Sequence, residues 1–260
     1  MRDREKSQSF VGSPYALELK GVGRIFGALV ALNDVSLEVL VGERRAVLGA
    51  NGAGKTTLFN AITGDFPPTS GRIKFFGEDI TLLPPHERIR RGLRRTYQNS
   101  LLFNDLSVRD NLYLAQRGVT SGRYSFHRPR PDDPTLEQTE MMAGFVRLER
   151  QLDQIVSALS HGQQRQLEIG MALAGAPRLL LLDEPAAGSS TAERSELLSM
   201  LKGLPSHMGF IIIDHDLHFA LKVVENVTVM QNGSIFKEGT PSEIQADPDV
   251  QKIYLGESHR

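Results

Sequence analysis

An α/β fold built around a parallel sheet is what the sequence predicts, on three observations. Short, uniformly apolar stretches at residues 46–48, 179–182 and 210–213 alternate with segments of helical spacing, the pattern of strands covered on both faces. A glycine-rich run at 49–57 directly follows the first of these strands and precedes a helical segment at 58–62. The first third of the chain instead alternates apolar and polar residues at 16–20, 35–40 and 72–76, the period of half-buried antiparallel strands.

The glycine run is Gly49, Ala50, Asn51, Gly52, Ala53, Gly54, Lys55, Thr56 and Thr57. Its three glycines let the backbone turn tightly and present successive N–H groups to an anion. Lys55 adds a full positive charge, and the start of the helix adds its dipole. Thr56 supplies a hydroxyl oxygen, a hard ligand that Mg²⁺ accepts while keeping most of its waters. A chance glycine turn before a surface lysine is the competing reading, and the strand–loop–helix context weighs against it. The loop reads as a nucleoside triphosphate site.

Taken in order, residues 1–14 read as a flexible lead-in and 15–260 as one domain. Between the first two strands lies a glycine-rich link, 21–30, that contains Phe26. The strand at 43–48 feeds the glycine loop, Ser70-Gly71 reads as a turn, and 81–92 as a short helix running into a strand at 93–97. Ser107 and Asp110 have capping-box spacing, so a helix is expected from Val108. Residues 118–134 carry prolines, glycines and scattered arginines, the composition of an exposed loop, although the basic groups also suit lipid head groups or a partner. Asp133-Pro134 starts a second helix ending before Leu152. A helical insertion over about 101–158 follows from these segments. The core resumes at Gly162 with helices at 163–174 and 192–202, then a hairpin of 227–230 and 235–237 around Asn232-Gly233, a type I′ turn. Thr240-Pro241-Ser242-Glu243 is a second capping box opening a short helical tail. The expected fold is thus a P-loop NTPase core with a parallel sheet, an antiparallel β-subdomain and an inserted helical subdomain.

Composition bounds the function. The chain has 260 residues, a formal charge of −1 and 40% hydrophobic residues, enough for a sizeable core. Near-neutral balance argues against nucleic acid as an obligatory partner, because a large phosphate footprint brings a basic excess. With no cysteine, disulfides and thiolate metal sites are ruled out, and a reducing cytoplasm is compatible. No apolar run approaches the ~20 residues of a spanning helix, and residues 1–9 are polar and charged, without signal-peptide character. A cytoplasmic protein is the expectation.

Further chemistry gathers at strand ends. The apolar stretch 179–182 ends in Asp183-Glu184, where a magnesium shell beside a P-loop needs a carboxylate, and Glu184 can polarise a water toward a terminal phosphate. Residues 211–213 end in Asp214-His215-Asp216, and His215 is either structural or a donor to the same phosphate. Gln98 follows another strand and offers both a donor and an acceptor. Leu159-Ser160-His161-Gly162-Gln163 makes a second serine–glycine turn at a helix start, another anion site. One chain does not easily wrap two such sites around one nucleotide; two facing chains, each completing the other's site, do.

The ordered set 49–57, Gln98, 159–163, 179–184 and His215 resembles the ATP-binding subunits of ABC transporters across nearly the whole chain. The wording at 27–32, 159–169 and 183–188 is similar to the branched-chain (hydrophobic) amino-acid uptake branch, which includes urea-type importers. The resemblance implies a Mg²⁺-dependent ATPase that powers solute uptake. In it Lys55, Thr56 and Thr57 hold phosphates and Mg²⁺, Gln98 links the metal to the membrane partner, and Asp183 is the metal carboxylate. It makes Glu184 the catalytic base and His215 the switch histidine, while Ser160, Gly162 and Gln163 contact ATP on the opposite subunit. Phe26 matches the position that stacks on adenine, against the alternative of a core phenylalanine, with Tyr15 a weaker candidate. Implied partners are transmembrane permease subunits, a second ATP-binding subunit (a second copy or a close sibling) and a solute-binding protein, on the inner face of the cell membrane. The insertion, with Leu101, Leu102 and Phe103 after Gln98, is the implied dock. Two departures stand out: His161 replaces the usual first glycine of the signature, and Gly188-Ser189-Ser190 lacks the aspartate common in the loop after Asp183-Glu184. Rival readings are a non-transport ABC ATPase acting on nucleic acid or ribosomes, and a regulatory subunit that clamps ATP without hydrolysing it.

Overall fold

The computed structural model describes residues 13–96, 102–119, 133–214 and 216–255. The first layer is a four-stranded antiparallel sheet of order β2-β1-β4-β5, formed by β1 (Tyr15–Phe26), β2 (Leu29–Leu40), β4 (Ser70–Phe75) and β5 (Glu78–Asp79). The second is a six-stranded sheet of order β10-β9-β3-β8-β7-β6. Its members are β3 (Arg44–Leu48), β6 (Leu93–Arg95), β7 (Leu179–Asp183), β8 (Gly209–Ile213), β9 (Asn226–Gln231) and β10 (Ser234–Gly239). All pairs are parallel except β9–β10, which closes one edge as an antiparallel hairpin.

Helices alternate with these strands: α1 (Lys55–Thr63), α2 (Pro85–Arg90), α3 (Val108–Val119), α4 (Pro134–Phe145), α5 (His161–Ala172), α6 (Thr191–Lys202), α7 (Leu217–Ala220), α8 (Pro241–Ala246) and α9 (Pro248–Leu255). Because side chains alternate across a strand, the parallel sheet divides its apolar residues between two cores. Ala46, Leu48, Leu180, Leu182, Phe210 and Ile212 join residues of α3 to α6 on one face. Val47, Leu179, Leu181, Ile211 and Ile213 meet α1 and the antiparallel sheet on the other. Both faces are dry, which is why these strands carry no polar alternation.

Several boundaries differ from the sequence reading, each for a local reason. The stretch expected as a glycine-rich link at 21–30 is mostly strand, since β1 runs through to Phe26 and β2 begins at Leu29. Its glycines accompany bulges: the β1–β2 register shifts between Leu19 and Val22 and again before Arg24, and Gly21 has φ +62°. Ser70-Gly71, expected as a turn, begins β4; a Cβ on Gly71 would lie 2.3 Å from the Gly21 carbonyl oxygen, so two glycines let the strands meet there. The helix expected from Asp133-Pro134 to end before Leu152 does so, at Phe145, and short 3-10 turns at Glu149–Gln151 and Val156–Ala158 complete the passage to α5. The lead-in at 1–12 and the loop at 120–132 lie outside the described residues. The hairpin is as expected, with Asn232 and Gly233 at φ +49° and +79°, the two positive values a type I′ turn requires.

Arg88 fastens α1 from below. It is almost wholly buried, and its guanidinium donates to the carbonyls of Ala61, Ile62, Thr81 and Leu83 at 2.7–3.0 Å. Those of Ala61 and Ile62 belong to the last turn of α1, which has no intrahelical partners for its carbonyls. Burial pushes the guanidinium down to about 10, still charged at neutral pH. Arg88→Met should therefore lower unfolding stability by about 3 kcal/mol or more, because several carbonyls lose a charged donor at once; urea denaturation measures it.

Candidate nucleotide-binding site

β3 lies between β8 and β9, so the loop that follows it emerges from the middle of the sheet at the strands' carboxyl edge. Two glycines there are fixed by close approach. A Cβ on Gly49 would lie 2.3 Å from the Met230 carbonyl oxygen, and one on Gly54 would lie 2.8 Å from that of Ala31. Both have positive φ, +149° and +102°. The loop is thus wedged between β9 and β2. Lys55 opens α1 with its side chain buried and donates from Nζ to the carbonyls of Gly49 at 2.6 Å and Ala50 at 2.9 Å.

The result is a cleft of about 470 Å³, lined by residues 51–57 with Leu29, Val30, Ala31, Glu184, Asn232 and Gly233. The hairpin turn belongs to it: the Gly233 N–H donates to the Ala53 carbonyl at 3.0 Å, and the Gly233 carbonyl accepts from Asn33 at 2.8 Å.

β7 delivers Asp183 and Glu184 to the same edge. Asp183 is buried and ion-paired to Arg95 of β6, Nη2 to Oδ2 at 2.6 Å, with side-chain exposures of 3% and 5%. Arg95 also reaches Asn60 of α1 at 2.5 Å and Asp65 at 3.2 Å. Glu184 sits at φ +49°, a left-handed conformation unusual for a glutamate. Three bonds hold it there: its N–H donates to Ile213 O at 2.8 Å, and its carbonyl accepts from Ala187 N at 3.1 Å and Arg165 Nη2 at 3.0 Å. Glu184 is thus a residue in a sparsely populated backbone conformation, fixed by its neighbours, that also lines the cleft of the glycine loop.

The donor set suits a triphosphate with Mg²⁺. The ligand oxygens nearest to hand are the Thr56 hydroxyl, which lines the cleft, and the Asp183 carboxylate at the end of β7, which is not among the lining residues and is held by Arg95. Among the described residues no cluster of three acidic, histidine or cysteine side chains could hold a metal alone. Mg²⁺ fits that arrangement, because it takes few protein ligands and completes its shell with water and phosphate oxygen.

Comparison with known proteins agrees. Residues 32–187 match the model of the family described as ABC transporter, and 238–260 match one described as branched-chain amino acid ATP-binding cassette transporter. The chain belongs to the ABC transporter ATP-binding family. It is 36% identical over 250 residues to the high-affinity branched-chain amino acid transport ATP-binding protein BraF of Pseudomonas aeruginosa, covering 93% of this chain and 98% of the relative. LivG of Escherichia coli K12, named likewise, is 34% identical over 252 residues at the same coverage. The ADP conformation of MJ1267, an ATP-binding cassette of an ABC transporter, superimposes with a TM-score of 0.83 at 31% identity, over 93% of this chain and 99% of that one. As an ABC cassette the chain is a nucleotide-binding ATPase.

The cassette brings Asn51, Gly52, Ala53, Gly54, Lys55, Thr56, Thr57 and Glu184 together around the cleft. Gly49 and Ala50 contribute the carbonyls that hold Lys55. Phe26 is not among the lining residues. It is 41% exposed, edge-on to Phe66 at 5.3 Å and covered by the Arg24 guanidinium at 4.5 Å, while Leu29 and Val30 form the apolar side of the mouth. Ser160, Gly162 and Gln163 do not line the cleft either; they form the capped start of α5, where Ser160 Oγ accepts from Gln163 N at 3.2 Å and Gln163 Oε1 accepts from Ser160 N at 3.0 Å. Gln98 and His215 lie outside the described residues. Beside His215, burial pushes the Asp214 carboxyl above the usual carboxylate range, although it accepts from the N–H groups of Asp216 and Ala186.

Sequence reasoning passed over Arg95 and Glu193. Neither stands in a glycine motif or at the end of an apolar strand. Arg95 meets Asp183 across 88 positions. Glu193, although it closes a capping box with Ser190 that the spacing could have shown, reaches Ser160 and Gly162 from 33 and 31 positions away. For Arg95 the consequence is measurable. Arg95→Met should destabilise the protein by about 3–5 kcal/mol, because Asp183 is left charged and buried. Adding Asp183→Asn should restore most of that loss, and a double-mutant cycle by chemical denaturation checks it.

Proposed function

We propose that this cassette hydrolyses ATP to power uptake of branched-chain amino acids, or a related small solute, through a membrane permease. BraF and LivG carry that transport in their names, and the match to them extends over nearly the whole chain. The observation that carries the hydrolytic part is Glu184, held in a left-handed conformation at the rim of the cleft that Lys55 and Thr56 line. In this reading the loop amides and Lys55 hold the β- and γ-phosphates, and Glu184 orients and deprotonates the attacking water. Thr56, Asp183 and Gln98 would hold Mg²⁺, which would supply neutralisation of phosphate charge. Phe26, at the outer edge, would meet the base from beside Leu29 and Val30.

The work is done by a clamp. Ser160, Gly162 and Gln163, remote from their own chain's cleft, serve the nucleotide of a second cassette, a second copy or a close sibling, so that each ATP is shared by two chains. Hydrolysis removes the shared phosphate, and the difference in affinity of ATP and ADP for the closed pair drives opening. His215 senses the same phosphate. Among the described residues no helix is long and apolar enough to cross a membrane, so the permease supplies the passage. The cassette sits against the permease on the inner membrane face, docked through the helical insertion at about 101–158. A solute-binding protein completes the importer and sets its specificity.

Glu184→Gln should leave ATP affinity within about twofold while lowering Mg-dependent phosphate release at least about a hundredfold, the contribution of a general base. Turnover at the wild-type rate in that variant would remove the base assignment. Lys55→Ala should instead abolish ATP binding itself, read by fluorescent-nucleotide titration. A wild-type protein that pairs on ATP yet releases no phosphate, alone or with its permease, would favour the regulatory clamp.

A further inference from the structure

One carboxylate joins the turn that opens α5 to the turn that opens α6. Glu193 Oε1 accepts from the Gly162 N–H at 3.1 Å and from the Ser160 hydroxyl at 3.4 Å. Its Oε2 accepts from the Ser190 N–H and hydroxyl, both at 2.8 Å. The approach is so close that a Cβ on Gly162 would lie 2.0 Å from Oε1, so this contact needs the glycine. Donation from the Ser190 N–H and hydroxyl, then from Gly162 and Ser160, holds the Glu193 carboxyl below its ordinary range, so it is an anion at neutral pH. His161 stands at the same junction: a Cβ on Gly188 would lie 3.4 Å from its imidazole Cε1. The two departures from the family pattern, His161 and Ser190, therefore meet in one small region.

The Ser160 hydroxyl and the Gly162 amide are the groups that the clamp reading assigns to the terminal phosphate of a facing chain's nucleotide. An anion already holds them here. Two anions cannot share the same donors without strong repulsion. Resting on the clamp reading, we propose that Glu193 is an internal stand-in for that phosphate, filling the anion position of the 160–162 turn in the single cassette and yielding it when a nucleotide-loaded partner docks.

Glu193 is then a positioning residue that acts through Ser160 and Gly162. It keeps the turn shaped for an anion before one arrives. It also sets a threshold, because only cassettes with Glu193 swung away are competent to pair, and apparent affinity falls by that fraction. On release the carboxylate keeps its hold on Ser190, and so places a negative charge in the loop whose usual aspartate is absent.

The test uses full-length protein in a Glu184→Gln background, where ATP persists. Glu193→Gln removes the charge but keeps the capping box, which accepts glutamine at that position. ATP-dependent pairing, followed by light scattering, should reach half-maximum at about five- to tenfold lower ATP when Glu193→Gln is added. The ¹⁵N shift of the Gly162 amide in the nucleotide-free single cassette should move with the substitution. Glu193→Ala, which also loses the cap, should pair at similarly low ATP and melt lower; a purely structural role would move the melting temperature alone. Pairing at unchanged or higher ATP in both Glu193 variants overturns the inference while leaving the clamp intact. If the Glu184→Gln protein itself never pairs and saturating ATP leaves its Gly162 amide unmoved, the clamp reading fails and takes this inference with it.

Discussion

A lysine ammonium carried inside the protein at the first turn of α1 is the constraint on which the rest of the fold depends. Lys55 is buried, and its charge is solvated by the carbonyls of Gly49 and Ala50. Those carbonyls face inward only because Gly49 and Gly54 adopt positive φ while pressed against the backbones of β9 and β2. That pressure in turn requires β3 in the interior of the parallel sheet and the antiparallel sheet closed over it. The hairpin turn at Asn232-Gly233 completes the enclosure by bonding to Ala53 on one side and Asn33 on the other. Burying a charge is tolerable where oxygen dipoles surround it, and this architecture supplies them before any phosphate does.

What could be read in the sequence follows from how local the causes are. The strands β3, β7 and β8 were legible because each is short, apolar at its inner residues and followed directly by candidate site residues. The capping boxes at Ser107 and Thr240 and the Asn232-Gly233 turn were legible because their donors and acceptors lie within three residues of each other. The extent of β1 and β2 was not, since glycine signals a turn in isolation and marks a bulge only when a partner strand is already paired across it. Arg95 and Glu193 were the hardest. An arginine in the strand pattern of 93–97 reads as an edge charge until β6 is known to pair with β7, which sets Arg95 opposite Leu181 and within reach of Asp183.

These long-range partners share a physical logic. Each group that the proposed function assigns to nucleotide or metal is already matched within the chain: Lys55 by carbonyl oxygens, Asp183 by Arg95, and the donors of the 160–162 turn by Glu193. Breaking such a match costs more than making it gains, because a buried charge without a partner keeps its full desolvation penalty. On the proposed function, nucleotide binding to this cassette is an exchange of partners rather than the filling of a bare charged hole. An exchange keeps the empty protein stable, and it makes the energy of binding available for moving the groups that are displaced.

The displaced groups are placed where movement has consequences. Arg95 stands on β6, whose chain continues into Gln98, and it also grips Asn60 and Asp65 at the far end of α1. Any new cation that competes for Asp183 must loosen Arg95, and so bears on the strand leading toward the helical insertion. Glu193 lies in the first turn of α6, which directly follows the loop after Asp183-Glu184. On the proposed function, a charge change at the nucleotide would thus reach the loop after β7 through one residue and the strand before Gln98 through another. Both routes run through side chains that hydrogen bonds and ion pairs fix in the nucleotide-free cassette, Arg95 on Asp183 and Glu193 on Gly162 and Ser190.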